Sequence, residues 1–508
     1  MRLYSAHEMT RADEGAQELG VPGGVLMERA GVEMTRAMID HFGPLERSRI
    51  LVVAGGGNNG GDGFVIAREL HLAGAEVAVF AMKDEYEGDA KVNWDVLRNL
   101  NMRFVGPDGF EDELREADLV VDALLGTGFR GEVREKEAGF IQEINAAGAA
   151  VVAVDMPSGV DGSTGEVWGA AVQADLTVCA HAAKLGCVVS PGREHAGEVA
   201  VVEIGIPPEA DVEPAATRTD TNSLRSLVPR RAGAAHKYSA GALLVVAGSR
   251  MATGAAIMVA RGAQRTGCGI IFVATAEGVA PLVDAQLVEV LVSGVLEDDE
   301  GNMSAGAIDS ILEQAQGASA VVLGPGMGVG VGGREIVEGV LTETDVPVLL
   351  DADAISNLLG PEVLAGRETP PVITPHPGEL GRLLDESPKE VQARRLHVAR
   401  RTAEEGGCCV LLKGADTLVV EGGPRGNRVS VNSTGSAALA TAGTGDVLSG
   451  IVGALLSRGV GPYDAARTGA WAHGRASELW LEETGWPSES MAATDLLPHL
   501  PPAFGEIY

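Results

Sequence analysis

Residues 50–74 read ILVVAGGGNNGGDGFVIARELHLAG. The first five are apolar and largely β-branched, a strand of the kind buried on both faces of a parallel sheet. Glycines end it, and Asn58, Asn59, Gly60, Gly61 and Asp62 follow before the spacing turns helical over 63–73. Such a turn lets backbone approach a ligand closely and aims helix N–H groups at an anion. It is not GxGxxG, and it lacks the Lys-Ser/Thr of a P-loop. Glycine alone would serve an ordinary βα connection, whereas two asparagines and an aspartate point to side chains that touch something.

The same rhythm extends outward. Apolar runs at 76–80, 119–123, 150–155 and 176–180 alternate with helical stretches such as 90–99. It loosens over 206–231, where Pro, Thr, Asp and Glu dominate and a linker is expected. It then restarts with strands expected at 242–247, 270–274, 318–323, 346–351, 372–374 and 409–413. The alternation predicts an α/β protein of two doubly wound domains, about 1–215 and 226–505. A chain of 508 residues has room for both.

The formal charge of −32 argues against nucleic acid or an anionic membrane as partner, because both need clustered Lys and Arg. No apolar run approaches the ~20 residues of a membrane span. The N-terminus carries charges and no leader-like apolar core. The five cysteines (Cys179, Cys187, Cys268, Cys408, Cys409) form no CxxC pair. Buried thiols in a reducing, cytoplasmic setting are expected.

Two more strand ends join the first. VVDALLGTGFRGE (120–132) places Asp122 at a strand end, and VVAVDMPSGVDGSTG (151–165) places Asp155 and Ser158 there. In open α/β sheets, ligands sit beyond the carboxyl ends of strands. Oxygen ligands from Asn59, Asp122 and Ser158 suit a hard cation. Asp155 is then free for acid–base work. Helix capping is the other reading of Asp122 and Ser158.

These three motifs, with EMTRADEGAQELGVPGGVLMERAG (8–31) and its Asp13, resemble the YjeF-type NAD(P)H-hydrate epimerase domain, whose fold is a Rossmann-like αβα sandwich. The resemblance implies a K⁺ site at Asn59, Asp122 and Ser158. It implies hydrate binding by Asn58, Asn59, Gly60, Gly61 and Asp62, by Gly126, Thr127, Gly128, Phe129, Arg130, Gly131 and Glu132, and by Asp155. The implied activity interconverts the R and S hydrates at C6 of the nicotinamide ring.

In the second half, TAGTGDVLSGIVGALL (441–456) carries a GxGD turn, Gly443, Thr444, Gly445 and Asp446, that opens a helix. Its N–H groups can form an anion hole for a transferring phosphoryl group, and Asp446 is placed to take a hydroxyl proton. A capping Asp is the plain alternative. Around it stand VLLKGADTLV (410–419), ITPHPGEL (373–380) with His376, VVLGPGMGVG (321–330) with Gly324, Gly326 and Gly328, and LLDADAISNLL (349–359) with Asp351 and Asp353. Lys413 also reads as a solvated strand-end lysine, His376 as a packed loop histidine, and the two aspartates as caps.

The set resembles the ribokinase-like ADP- or ATP-dependent NAD(P)H-hydrate dehydratase. The two halves together are similar to a fused repair family. The resemblance implies Asp446 as base, with nucleotide contacts from Lys413, Gly414, Ala415, Asp416, Thr417, Gly443, Thr444 and Gly445. It puts Ala256, Gly326, His376 and Asp446 at the hydrate. Its small-molecule partners would be NADH hydrate, NADPH hydrate and ADP, with Mg²⁺, in a homo-oligomer. The chain departs from the family at Ser436, Ala437 and Ala438, where TGN is normally followed by Pro or Ala and Gly, and at Ser356, normally Asn. A small-molecule kinase of the ribokinase superfamily, with a noncatalytic YjeF-type module, is the competing expectation.

Overall fold

The computed structural model describes residues 1–231, 233, 237, 238, 240–423 and 428–508. The chain forms two compact units, Arg2–Thr217 and Arg218–Tyr508. No helix among the described residues is long and apolar enough to cross a membrane.

The first unit is built on seven parallel strands. Their spatial order is Arg103–Val105, Glu76–Ala81, Arg49–Ala54, Leu119–Ala123, Ala150–Val154, Leu176–Ala180 and Glu198–Val202. The order reverses between Arg49–Ala54 and Leu119–Ala123, so the crevice beyond their carboxyl ends is the natural ligand position. Helix Asn58–Leu72 buries Phe64, Ile66 and Leu70, each stabilising by roughly 1.5–3 kcal/mol relative to exposure. A small ribbon pairs Arg2–Tyr4 antiparallel to Ala216–Arg218 and parallel to Ala183–Lys184.

Among the described residues, the second unit has nine strands in the order Leu291–Val295, Ile270–Ala276, Ala242–Val246, Ala320–Leu323, Val348–Leu350, Val372–Ile373, Cys409–Leu412, Leu418–Glu421 and Val429–Val431. All pairs are parallel except the last two. Helix Thr444–Ser457 lies against helix Thr253–Arg265 and the sheet, and Gly450 and Gly453 let it approach.

Three expectations change. The helix after the first strand begins at Asn58, five residues early, so Asn58–Asp62 form its first turn rather than a loop. Gly60 packs so closely on the Gly55 carbonyl that any Cβ would collide, whereas a Cβ on Gly61 meets the movable end of the Met27 side chain. The 206–231 stretch is not a loose linker. It supplies the Ala216–Arg218 strand and a helix, Thr221–Leu224, capped by Asp220, and it buries Leu224 and Val228 in the second core. Short strands at 103–105, 291–295, 418–421 and 429–431 carry too little pattern to be read as strands beforehand.

Gly450→Val tests the helix packing. Helix propensity gains less than about 1 kcal/mol. Overpacking costs typically ~1–3 kcal/mol, and a Cβ at this position meets the Val259 carbonyl. The urea midpoint of the second unit should fall; an unchanged or raised midpoint would show that the helices separate freely.

Candidate functional sites

A cavity of about 790 Å³ opens at the strand-order reversal of the first unit. Gly56–Asn59 and Asp62 come from the first glycine turn and helix, Leu124–Phe129 from the second strand end, and Asp155 from the third. Helix Ala6–Glu18, fixed by a Ser5/Glu8 capping box, adds Met9, Thr10, Asp13, Glu14 and Gln17 along one face. Among the described lining residues, Lys184 is the one cation, facing Asp13, Glu14, Asp62, Asp89 and Asp155.

Lys184 is fully buried. Its Nζ donates to Asp155 Oδ1 at 2.5 Å and to the Ala180 carbonyl at 2.7 Å, while Ala180 N–H donates to the same Oδ1 at 3.0 Å. Asp155 sits at φ +66°, a left-handed conformation that Asp tolerates better than most residues and that turns its carboxylate off the strand into the cavity. Burial alone would disfavour the Lys184 ammonium, but Asp155 and the nearby Cys179 hold its pKa above the ordinary value. Asp13 is pushed up to about 6 by burial, with Lys184 opposing and Asp155 adding. Asp62 is pushed well above the ordinary carboxylate range by burial, then by Asp155 and Asp13. The one ammonium pairs directly with Asp155, and burial raises the two carboxyls beyond it, Asp13 and Asp62.

Asp122 and Ser158 are fully buried beside this cavity. Ser158 donates through Oγ (2.6 Å) and N–H (2.8 Å) to Asp122, and Leu125 N–H donates to Ser158 Oγ at 2.7 Å. Neither residue caps a helix, which settles that alternative. Burial pushes Asp122 up to about 6 against these hydrogen bonds. The Asn59 amide lies against Gly126, and its buried Nδ2 has no partner. The Asp122 carboxylate, the Ser158 hydroxyl and the Asn59 amide oxygen are the oxygen ligands that a hard cation takes, whereas the unpartnered Nδ2 is a hydrogen-bond donor and would turn away from it.

In the second unit, the GxGD turn is a helix start. Gly443 is the N-cap at φ +89°, and Asp446 is the third helical residue. Asp446 is therefore not the cap. Its pKa is pushed up to about 7 by burial, with Asp351 adding and Lys413 opposing. Lys413 is no solvated lysine. Its Nζ lies 3.0 Å from Asp351 and 3.6 Å from Glu379, and a Cβ on Gly445 would stand 3.6 Å from it. Asp351 also accepts from Ser449 at 2.7 Å, tying the helix to the strand end. His473, buried and held near pKa 4 by that burial, has Nε2 2.9 Å from the Thr444 carbonyl.

Several expected ligand contacts sit elsewhere. Ala256 is fully buried in the core beside Gly248, so it offers no ligand surface. Asp416 turns inward to Arg395. His376 caps helix Pro377–Leu384, its Nδ1 accepting from Gly378 and Glu379. Asp353 accepts from Gly328 N–H, and Asn357 straps the same loop through Gly328 and Gly330. Gly326 stands half-buried at φ +64° in that loop. Gly414, Ala415 and Thr417 form a turn closed by the Thr417 hydroxyl. Gly60 and Gly61 lie under the first cavity rather than in its wall. Arg130–Glu132 leave that wall, and Glu132 bridges to Trp168. Lys184, Glu379, Arg395, Ser449 and His473 went unread. Only Glu379, three residues after His376 at capping-box spacing, and Ser449, one helical turn after Asp446, had a signal to find.

Residues 243–502 match the family model described as NAD(P)H-hydrate dehydratase, and residues 23–186 match that of the YjeF-related protein N-terminus. The bifunctional NAD(P)H-hydrate repair enzyme Nnr of Moorella thermoacetica is 38% identical over 99% of this chain and 96% of its own. That of Salinibacter ruber is 37% identical, over 98% and 95%. The ADP/ATP-dependent NAD(P)H-hydrate dehydratase of Bacillus subtilis, co-crystallised with ATP and Mg²⁺, is 30% identical with a TM-score of 0.50, covering 58% of this chain and 99% of its own. Both halves, in one order and over nearly full length, are thus those of known relatives, and the chain belongs to the family of bifunctional NAD(P)H-hydrate repair enzymes.

Proposed function

We propose that the first unit interconverts the R and S forms of NADH hydrate and NADPH hydrate, and that the second dehydrates the S form at the expense of ADP. The observation that carries the epimerase half is the Lys184–Asp155 pair set in a cavity at the sheet's switch point. C6 of the hydrate bears a hydroxyl and the ring nitrogen, so its configuration is lost when either bond opens. Asp155, ion-paired with Lys184, takes the hydroxyl proton as C6–N1 breaks to the aldehyde, the N1 electron pair spreading into the conjugated C2=C3–carboxamide; it returns the proton when that pair re-attacks C6 on the other face. Asn58, Asn59, Asp62 and the Gly126–Phe129 turn line the binding space. K⁺ would be held by Asn59, Asp122 and Ser158, adding fixed positive charge beside an anionic substrate.

In the second unit, Asp446 takes the C6 hydroxyl proton while a phosphoryl group moves onto that oxygen. Loss of the C5 proton and cleavage of C6–O then release phosphate and restore the reduced ring, with AMP as the other product. The N–H groups at Gly443–Gly445 and the Lys413 ammonium stabilise the transferring charge. The Gly414–Thr417 turn contacts the nucleotide, and Gly326 and the exposed face of His376 border the hydrate. No cluster of three metal-ligating side chains stands ready among the described residues, so Mg²⁺ would be held chiefly through the nucleotide phosphates. A small-molecule kinase reading leaves the Asp155–Lys184 cavity without a use. A cytoplasmic homo-oligomer remains the expected setting.

Asp446→Asn should slow dehydration by roughly 10²–10⁴-fold, the usual worth of a general base, with R–S interconversion intact. Wild-type dehydration by this variant would remove Asp446 as the base, and loss of both activities together would overturn the division of labour. Lys184→Met should do the reverse: interconversion falls at least ~10²-fold on the same scale, while dehydration of pure S hydrate is unchanged. Chromatographic separation of the epimers reads the first activity, and reduced-nicotinamide absorbance reads the second. Asp446 works only when ionised, and burial holds its pKa near 7. The kcat/KM of dehydration should therefore drop below about pH 7, approaching tenfold per unit. A flat profile down to pH 5 would remove Asp446 as the base.

A further inference from the structure

Arg395 is an arginine with almost no exposure, 1% by side-chain surface, in a chain whose other cations mostly face water. A guanidinium carries five N–H donors in a fixed planar fork. Here three of the five are spent on one short segment. Nε lies 3.2 Å from Asp416, Nη2 donates to the Leu412 and Lys413 carbonyls at 3.3 Å each, and Nη1 donates to Gln392 at 3.1 Å. The segment so gripped, 412–416, runs from the end of strand Cys409–Leu412 through the exposed Gly414–Ala415 turn. Gly414 stands against the fork, and a Cβ there would collide with Nη2.

From this the structure assigns Arg395 and Asp416 a joint role as positioning residues for nucleotide binding. Asp416 does not touch the nucleotide but serves as the counter-ion of Arg395, and Arg395 fixes the backbone of the turn that the nucleotide meets. The assignment rests on the reading of 413–417 as the nucleotide turn. Lys413's ammonium is held independently, by Asp351 and Glu379, so the clamp governs the turn and not the phosphoryl-transfer chemistry. That separation gives the role a kinetic signature. A lost fold lowers the active fraction and hence kcat; a loosened clamp raises KM for ADP and spares kcat.

The test compares the full-length wild type with Arg395→Lys, with the neutral pair Arg395→Gln/Asp416→Asn, and with Gly414→Ala alone and in the Arg395→Lys background. ADP affinity is measured by calorimetry, and kcat and KM with S hydrate. Arg395→Lys keeps the charge but cannot serve four acceptors, so Kd and KM for ADP should rise about tenfold or more with kcat within about threefold. The neutral pair removes the buried charge on both sides and should show the same split if the single variant fails to fold. Gly414→Ala should weaken ADP binding in the wild type and much less in the Arg395→Lys background, where no Nη2 opposes the methyl. Unchanged ADP affinity in the first two variants, a fall in kcat alone, or strict additivity of the Gly414 and Arg395 changes would overturn the assignment. Wild type that binds ADP but regenerates no NADH would overturn the proposed activity instead, and the calorimetric comparison would still decide the clamp.

Discussion

Each unit keeps one lysine ammonium buried among carboxylates, and the chemistry proposed for each depends on which carboxylate that ammonium serves. In the first, Lys184 pairs with Asp155, and burial, opposed by Lys184, raises Asp13 and Asp62. In the second, Lys413 pairs with Asp351 and Glu379, and burial, with Asp351 adding and Lys413 opposing, raises Asp446 toward neutrality. A base poised near the working pH is what proton transfer requires. Burial sets that poise, and the neighbouring ammonium limits it.

The same economy answers how a chain of charge −32 accommodates ligands that are themselves polyanions. Strand-to-helix turns do the work of a basic surface. Helix Asn58–Leu72 starts at a glycine N-cap, and helix Thr444–Ser457 starts at another, each presenting unsatisfied N–H groups. Glycine is needed at these places for two separate reasons: left-handed backbone at Gly443, and contact too close for a Cβ at Gly60. The acidic residues are free to populate the rest of the surface.

Much of this was legible in the sequence, and the failures have physical causes. Buried parallel strands write themselves as continuous apolar runs, so the central strands of both sheets were readable. Edge strands such as Leu291–Val295, half exposed, were not. Polar residues near glycines, Asn59 and Asp155, marked the position of the first cavity. Lys184 and Arg395 did not, because a buried cation looks in sequence like any solvated one, and only the three-dimensional pairing with Asp155 or Asp416 distinguishes it. Ala256 failed in the opposite sense. Its helix presents that position to the core, which a motif match does not reveal. The 206–231 segment misled through composition, since two well-placed apolar residues, Leu224 and Val228, suffice to anchor a polar stretch.

The central claim is that two complementary chemistries reside on this one chain. It is tested most directly by giving wild-type protein a mixture of both C6 epimers of NADH hydrate, with ADP, Mg²⁺ and K⁺, and following reduced-nicotinamide absorbance to completion. The account predicts full recovery of NADH from both epimers. Recovery that halts at the S fraction would contradict the epimerase site, and no recovery at all would contradict the dehydratase.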